Sequence, residues 1–367
     1  MKITCEKSKL QEAISIAQKA VTGRTTMPVL QGILITAKNN SIILTGSDID
    51  LSIRTKLDAT ILEEGDVVVD AKIFGDIIRK LPNDIIEIST KDNNILEIIC
   101  QKSKFNLVHM DSNDFPELPN INENTIFSVS QQLLKNMIKS TIFATAQEET
   151  RPILTGILFE IKNNNFNLVA IDGYRLAVKS EHINNDSTIN AVIPGKTLNE
   201  VSKILEDDSA NVNITFTPNH ILFSVGNTKI LSRLLEGEFI KYNSIIPEEY
   251  NLKVTVKREE LLECIERASL MGKDGNTNLI KLNIEKDNMI ITSNSQLGMV
   301  REEISIVLQG QNLQIAFNAK YLIDVLKTME EEEIIMELSS SVSPCVIRNK
   351  NVDNCIYLVL PVRLSNN

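Results

Sequence analysis

The chain has 367 residues, with 38 Lys and Arg against 48 Asp and Glu, a formal net charge of −10. At 43% hydrophobic it can bury the cores of two or three domains, and its acidity excludes a general nucleic-acid coat while leaving room for a local basic face. Trp is absent and aromatics are 4%, which leaves few platforms for stacking single-stranded bases.

In chain order, apolar residues at Leu10, Ala13, Ile14 and Ala17 predict an amphipathic helix over Lys7–Val21. Alternating strands follow at Ile33–Ala37, Ile42–Thr45 and Leu51–Leu57, with Asn39-Asn40 marking a hairpin turn. A second helix is read at Ala71–Leu81, then strands at Ile85–Thr90, Ile95–Cys100 and Phe105–Met110. The pattern starts again with a helix over Gln131–Thr145, carried by Leu134, Met137, Ile138 and Ile142. A turn at Asn163–Asn165 and a helix at Gly195–Leu205 come next. It starts a third time with Arg258–Met271, carried by Leu261, Leu262, Ile265 and Ala268, and reaches a helix at Ala319–Met329. Tyr357–Leu360 reads as a last core strand, ended by Pro361.

The recurrence has a fixed step. Lys72, Lys196 and Lys320 are 124 residues apart, and Asp76, Glu200 and Asp324 keep the same spacing. Pro28, Leu30, Gly32 and Leu34 return as Pro152, Leu154, Gly156 and Leu158; Asp48 returns as Asp172, and Asp114-Phe115 as Glu238-Phe239. Three copies of one α+β fold are expected, each with two helices on one side of antiparallel sheet and about eight strands, joined near 116–126 and 240–252. The six helical segments together carry +6 on a chain of −10. A rotation between copies would gather them on one basic concave surface, suited to a polyanion.

Other chemistry finds little support. The five cysteines are widely spaced without a CxxC, which fits a reducing cytoplasm. The first residues lack an apolar signal core, and no apolar run reaches the ~20 residues of a membrane span, so a soluble, intracellular protein is expected. Gly195-Lys196-Thr197 ends like a phosphate loop, but Asn190 occupies the first glycine position. Asp48-Ile49-Asp50 suggests a metal pair, yet its copy is Asp172-Gly173-Tyr174, which favours a turn or cap. His109, His182 and His220 lack ligand spacing, and GxSxG is absent. No metal, cofactor or catalytic residue is expected. Ile171-Asp172-Gly173-Tyr174-Arg175-Leu176-Ala177 and the apolar C-terminal segment instead suit capture of a short peptide with an apolar anchor.

Several motifs then resemble one family, the bacterial DNA polymerase III beta subunit, along the whole chain. They are Arg24–Leu30, Leu44–Asp48, Asp114-Phe115-Pro116, Leu154–Glu160, Asp172–Ala177 and Leu360–Leu364. The resemblance implies clamp domains at 1–120, 126–246 and 250–367, and two chains closed head to tail into a pseudo-sixfold ring. Such a ring encircles duplex DNA without sequence preference and without catalysis. It also implies a pocket for linear motifs of the polymerase, clamp loader and repair proteins, at Leu154, Ile171, Gly173, Tyr174, Arg175, Leu176, Ile240, Ile245, Val342, Pro344, Leu358, Leu360, Pro361, Val362, Arg363 and Leu364. Ile240 stands where the family has proline, Ser244 where it has arginine, and Ser365–Asn367 extends the usual end. Glu148, Pro152 and Ile153 replace a glutamine and two tyrosines that contact DNA in the family. The basic residues expected to face DNA are Arg24, Lys72, Arg79, Lys135, Lys139, Lys196, Lys203, Lys320 and Lys327. Phe105 and Leu107 should meet Leu270 and Met271 at the subunit interface, with Lys102 and Lys104 facing Glu302 and Glu303. The competing reading is a repeat adaptor that binds peptides without encircling DNA.

Overall fold

The computed structural model describes residues 1–363 except 24, 120, 122–126, 149, 273–277 and 297. Arg24 and Leu364 therefore lie outside the described residues. The described residues form six α-helices, α1 (Lys7–Ala17), α2 (Ala71–Lys80), α3 (Gln131–Lys139), α4 (Gly195–Ile204), α5 (Arg258–Gly272) and α6 (Ala319–Thr328). Every strand pairing among the described residues is antiparallel, in sheets of thirteen, nine and four strands.

Two helices end earlier than their apolar periodicity suggests. The Ser140 and Thr141 hydroxyls donate back to the Asn136 and Met137 carbonyls, 2.8 and 2.9 Å away. Such back-bonding competes with helix propagation, and a separate short 3₁₀ turn follows at Ile142–Ala144. α1 tightens into a 3₁₀ turn at Gln18–Ala20. There the helix end lies against Gly46, where a Cβ would stand 2.1 Å from the Ala17 carbonyl oxygen, so only glycine admits this approach.

The chain forms two compact units, residues 1–135 with 196–234 and residues 136–195 with 235–367. In the first unit, Leu10 and Ile14 of α1 and Phe74 and Ile78 of α2 are buried against the sheet residues Ile3, Ile33, Ile35, Leu44 and Ile88. The opposite face of α2 shows Lys72 and Arg79 to solvent. Asp70 caps α2 by accepting from the Ile73 amide at 2.7 Å. In the second unit, α6 buries Leu322, Val325 and Leu326 and exposes Lys320 and Lys327. The helix-on-sheet arrangement expected from the periodicity is thus present.

These units do not coincide with the 124-residue repeat, because the middle copy is shared between them. Its strand Thr228–Arg233 pairs with Leu51–Asp58 of the first copy, with Lys229 opposite Arg54 and Leu231 opposite Ser52. Its strand Arg175–His182 pairs with Cys355–Val359 of the third, with Arg175 opposite Val359 and Leu176 opposite Leu358. Backbone ladders outweigh sequence proximity in deciding which segments cohere.

Candidate peptide-binding site and basic helices

The turn before Arg175–His182 is built by Asp172. Its Oδ1 accepts from the Tyr174 and Arg175 amides at 2.9 and 3.0 Å, an Asx turn that leaves Gly173 at φ +90°. Asp48 repeats this geometry, accepting from the Asp50 and Leu51 amides at 2.9 and 2.7 Å. Both aspartates are turn-makers, as their sequence context suggests, and among the described residues no His, Cys, Asp and Glu group could hold a metal ion.

Below the turn lies a buried apolar floor. Leu154, Ile171, Leu176 and Leu358 pack in one cluster with Phe239, Tyr242 and Val346, and Ile240 covers part of it. Above it several apolar side chains stay in water: Tyr174, Ile245, Val342 and Leu360 are 60%, 38%, 61% and 37% exposed. The Leu360 amide donates to the Tyr174 carbonyl at 2.9 Å and the Val362 amide to the Ala316 carbonyl at 2.8 Å. The segment after the last strand is therefore held at the turn, with Pro361 and Val362 half-buried and Arg363 exposed. Pro344 is also half-buried, in the loop that carries Val342. The last strand ends at Val359, one residue earlier than expected.

Arg175 differs from the expectation of a ligand-facing side chain. It is 8% exposed, its Nε donating to Asp172 Oδ2 at 3.0 Å and its Nη1 to Asp324 Oδ2 at 2.5 Å. Its Nη2 donates to the Phe143 carbonyl. The guanidinium lies 5.2 Å from the Phe143 ring centre and 4.7 Å from that of Tyr321. The forked shape of arginine satisfies two carboxylates and a carbonyl at once, so Arg175 braces the floor instead of lining the rim. Sequence reasoning missed Tyr321, which stacks on Tyr174 at 5.9 Å between ring centres. Burial pushes the Tyr321 phenol up from its ordinary range, and the Asp172 charge adds to the shift. The signal available was its place one residue after the repeated Lys320.

The basic helices also differ in detail from a bare cationic surface. Lys196 pairs with Asp48 at 2.8 Å, Lys135 with Asp207 at 2.9 Å, Lys203 with Glu200 at 2.7 Å and Lys327 with Glu266 at 2.8 Å. Arg79 pairs with Asp76. Lys72, Lys139 and Lys320 are exposed and make no ion pair among the described residues. The paired cations have acidic partners one helical turn away or distant in sequence, which counting charges per segment does not reveal. The Arg79–Asp76 and Lys327–Glu266 pairs are exposed on both sides, and pairs of that kind are worth little and can exchange a carboxylate for a phosphate.

Edge strands supply the third candidate surface. Ser103–Met110 pairs with Ile95–Cys100 along its length, but with Gly65–Asp70 only through His109 and Met110. Its remaining edge is open, with Phe105 at 39% and Val108 at 75% exposure; Leu107 packs partly on the core. Gly298–Ser305 is the outer strand of the four-stranded sheet, with Met299 76% exposed. Leu270 is 60% exposed at the end of α5, and Met271 is half-buried. The charges expected to match across the interface are already engaged within the chain: Lys104 with Glu97, Glu302 with Arg267 and Glu303 with Arg301.

Comparison with known proteins accounts for this architecture. Residues 1–119, 128–241 and 243–363 match the N-terminal, central and C-terminal domains of the DNA polymerase III beta subunit. The beta sliding clamp of Bacillus subtilis is 37% identical over 99% of this chain and 100% of that protein. Its crystal structure superposes with a TM-score of 0.97, covering 100% of both chains at 36% identity. A beta subunit structure from Eubacterium rectale is 39% identical with a TM-score of 0.95, covering 99% of this chain and 100% of that one. A Pseudomonas aeruginosa sliding clamp bound to griselimycin is 28% identical with a TM-score of 0.94, covering 99% and 100%. With three tandem clamp domains matched from one end to the other, this chain belongs to the bacterial DNA polymerase III beta subunit family, the DNA sliding clamps.

Proposed function

We propose that two copies of this chain close head to tail into a ring around duplex DNA, and that the ring tethers the replicative polymerase by topology. The domains are taken as 1–120, 126–246 and 250–367. The observation that carries the reading is a set of exposed cations without an ion pair among the described residues, Lys72, Lys139 and Lys320, one on a helix of each copy of an otherwise acidic chain. Phosphate contacts from such lysines hold DNA without reading bases. The role needs no catalytic residue and no cofactor, and it belongs where the chromosome is, in the bacterial cytoplasm.

Loaded on a nicked circular plasmid, the ring stays bound through high salt and leaves when the plasmid is cut. Equal release from circular and linear DNA overturns topological tethering. Reversing three charges, Lys72→Glu, Lys139→Glu and Lys320→Glu, reduces direct DNA affinity and lowers the log–log salt slope by about 3 per chain. Sedimentation then shows the same dimer, at twice the 41.1 kDa chain mass.

The floor of Leu154, Ile171, Leu176 and Leu358, edged by Tyr174, Ile245, Val342 and Leu360, serves as the docking site for linear motifs of polymerase, clamp loader and repair proteins. Burying one apolar anchor contributes about 1.5–3 kcal/mol, so a two-anchor peptide such as Gln-Leu-Ser-Leu-Phe binds weakly, with a Kd on the order of 10⁻⁵ to 10⁻³ M. Weak binding suits partners that must exchange. Deleting Leu360–Asn367 abolishes this binding in fluorescence anisotropy while the dimer persists. Unchanged affinity in the truncated chain places the site elsewhere.

A further inference from the structure

The joint between the first and second copies carries its own cavity, and it repeats the turn and a backbone bond of the docking site. Asp48 and Asp172 make the same Asx turn. The Arg233 amide donates to the Asp50 carbonyl at 2.9 Å, as the Leu360 amide donates to that of Tyr174. Leu30 and Phe115 are buried together here, as Leu154 and Phe239 are there.

The cavity holds about 230 Å³ and is lined by Met27, Leu30, Ile49, Pro116, Leu118 and Leu231, among others. That volume accepts one aromatic or large aliphatic side chain. A smaller space of about 80 Å³ adjoins it, sharing Ser52, Leu118, Pro119 and Leu231, and reaches Arg54 and Lys229.

Three of the polar groups are ordered along one stretch of backbone, and Glu117, His220 and Arg233 complete the polar lining. Asp50 lies at the turn end, Ser52 in the middle and Arg54 at the far end, at steps of about 7 Å for two extended residues. Arg54 and Lys229 stand directly opposite each other on neighbouring strands. Asp50 and Arg54 make no ion pair among the described residues. Asp48, by contrast, is occupied by its turn and by Lys196.

We infer that this cavity is a second peptide-docking site, for an extended protein segment with a cation, an apolar anchor and then a carboxylate two residues after the anchor. The anchor fills the space beside Met27 and Leu231, the cation faces Asp50, and the carboxylate faces Arg54. The inference borrows its ligand class from the peptide reading of the other joint, but its charge order is its own.

The test uses the full-length chain with 13C-labelled methionine methyls, the Met27 signal being assigned through Met27→Leu. The probe is acetyl-Lys-Phe-Ala-Asp-amide. Its mirror control, acetyl-Asp-Phe-Ala-Lys-amide, has the same composition and net charge. The Met27 methyl shifts saturably with the probe at a Kd on the order of 10⁻⁴ to 10⁻³ M. The mirror peptide binds at least fivefold more weakly, Arg54→Gln removes that preference, and Leu231→Asp abolishes the shift. Deleting Leu360–Asn367 leaves the Met27 shift in place, so loss of the other docking site is read separately by anisotropy. A Met27 methyl that stays fixed at 5 mM probe overturns the site. Equal or tighter binding of the mirror peptide overturns the charge order.

Discussion

Arg175→Ala lowers the stability of the second unit by about 3 kcal/mol, the scale for removing one partner of a buried ion pair. Two carboxylates, Asp172 and Asp324, lose their common cation, and the Phe143 carbonyl loses a donor. The turn itself keeps its two backbone bonds to Asp172 Oδ1. Urea unfolding followed by circular dichroism detects the loss as an earlier transition. Arg175→Lys recovers only part of it, since one ammonium cannot reproduce the fork. A midpoint equal to that of the unaltered chain removes Arg175 from its bracing role. Peptide affinity falls in the same variant because the floor loosens, with no contact from the guanidinium to the ligand.

Asn106→Pro converts the dimer to monomers at micromolar concentration while leaving the fold intact. Cys100 and Ser103 flank a two-residue hairpin turn and form its first hydrogen-bonded pair. Alternation then directs the amides of Ser103, Phe105 and Leu107 to the neighbouring strand, and those of Lys104, Asn106 and Val108 to the open edge. Proline at 106 costs no existing ladder bond, and edge strands tolerate it. It does remove a donor from the edge taken here to meet the partner subunit's Gly298–Ser305 strand. Leu270→Ala with Met271→Ala acts on the apolar part of the same contact. A dimer unchanged in sedimentation by both variants counts against this interface.

Much of the fold was legible because a repeat writes the same physics three times. The paired asparagines are an instance: Asn39 and Asn40 at φ 52° and 55°, and Asn163 and Asn164 at 52° and 61°, hold the hairpin turns that their sequence predicts. The buried faces of α1 and α2 follow from spacing alone. The partners of charged groups were not legible, because they depend on tertiary approach. Lys196 meets Asp48 across 148 residues, and Arg175 meets Asp324 across 149. Glycine, tyrosine and arginine in a row suggested a ligand contact at Arg175, while the carboxylate that claims it sits on α6. The short α3 was hidden as well, since Thr141 fits the apolar period until its hydroxyl turns back to the Met137 carbonyl.

The ladder between Leu51–Asp58 and Thr228–Arg233 has a consequence during synthesis. The first copy of the fold leaves the ribosome with that strand edge unpaired, and its cover emerges about 175 residues later. At roughly 5–20 residues per second the edge stays open for about 10–35 seconds, long enough for two nascent chains on one message to meet. Arg54 and Lys56 face solvent on this strand. Their charge opposes pairing with a second copy of itself, as lysines do on exposed edges generally. Arg54, which later flanks a cavity, first serves with Lys56 as a guard of an unfinished sheet.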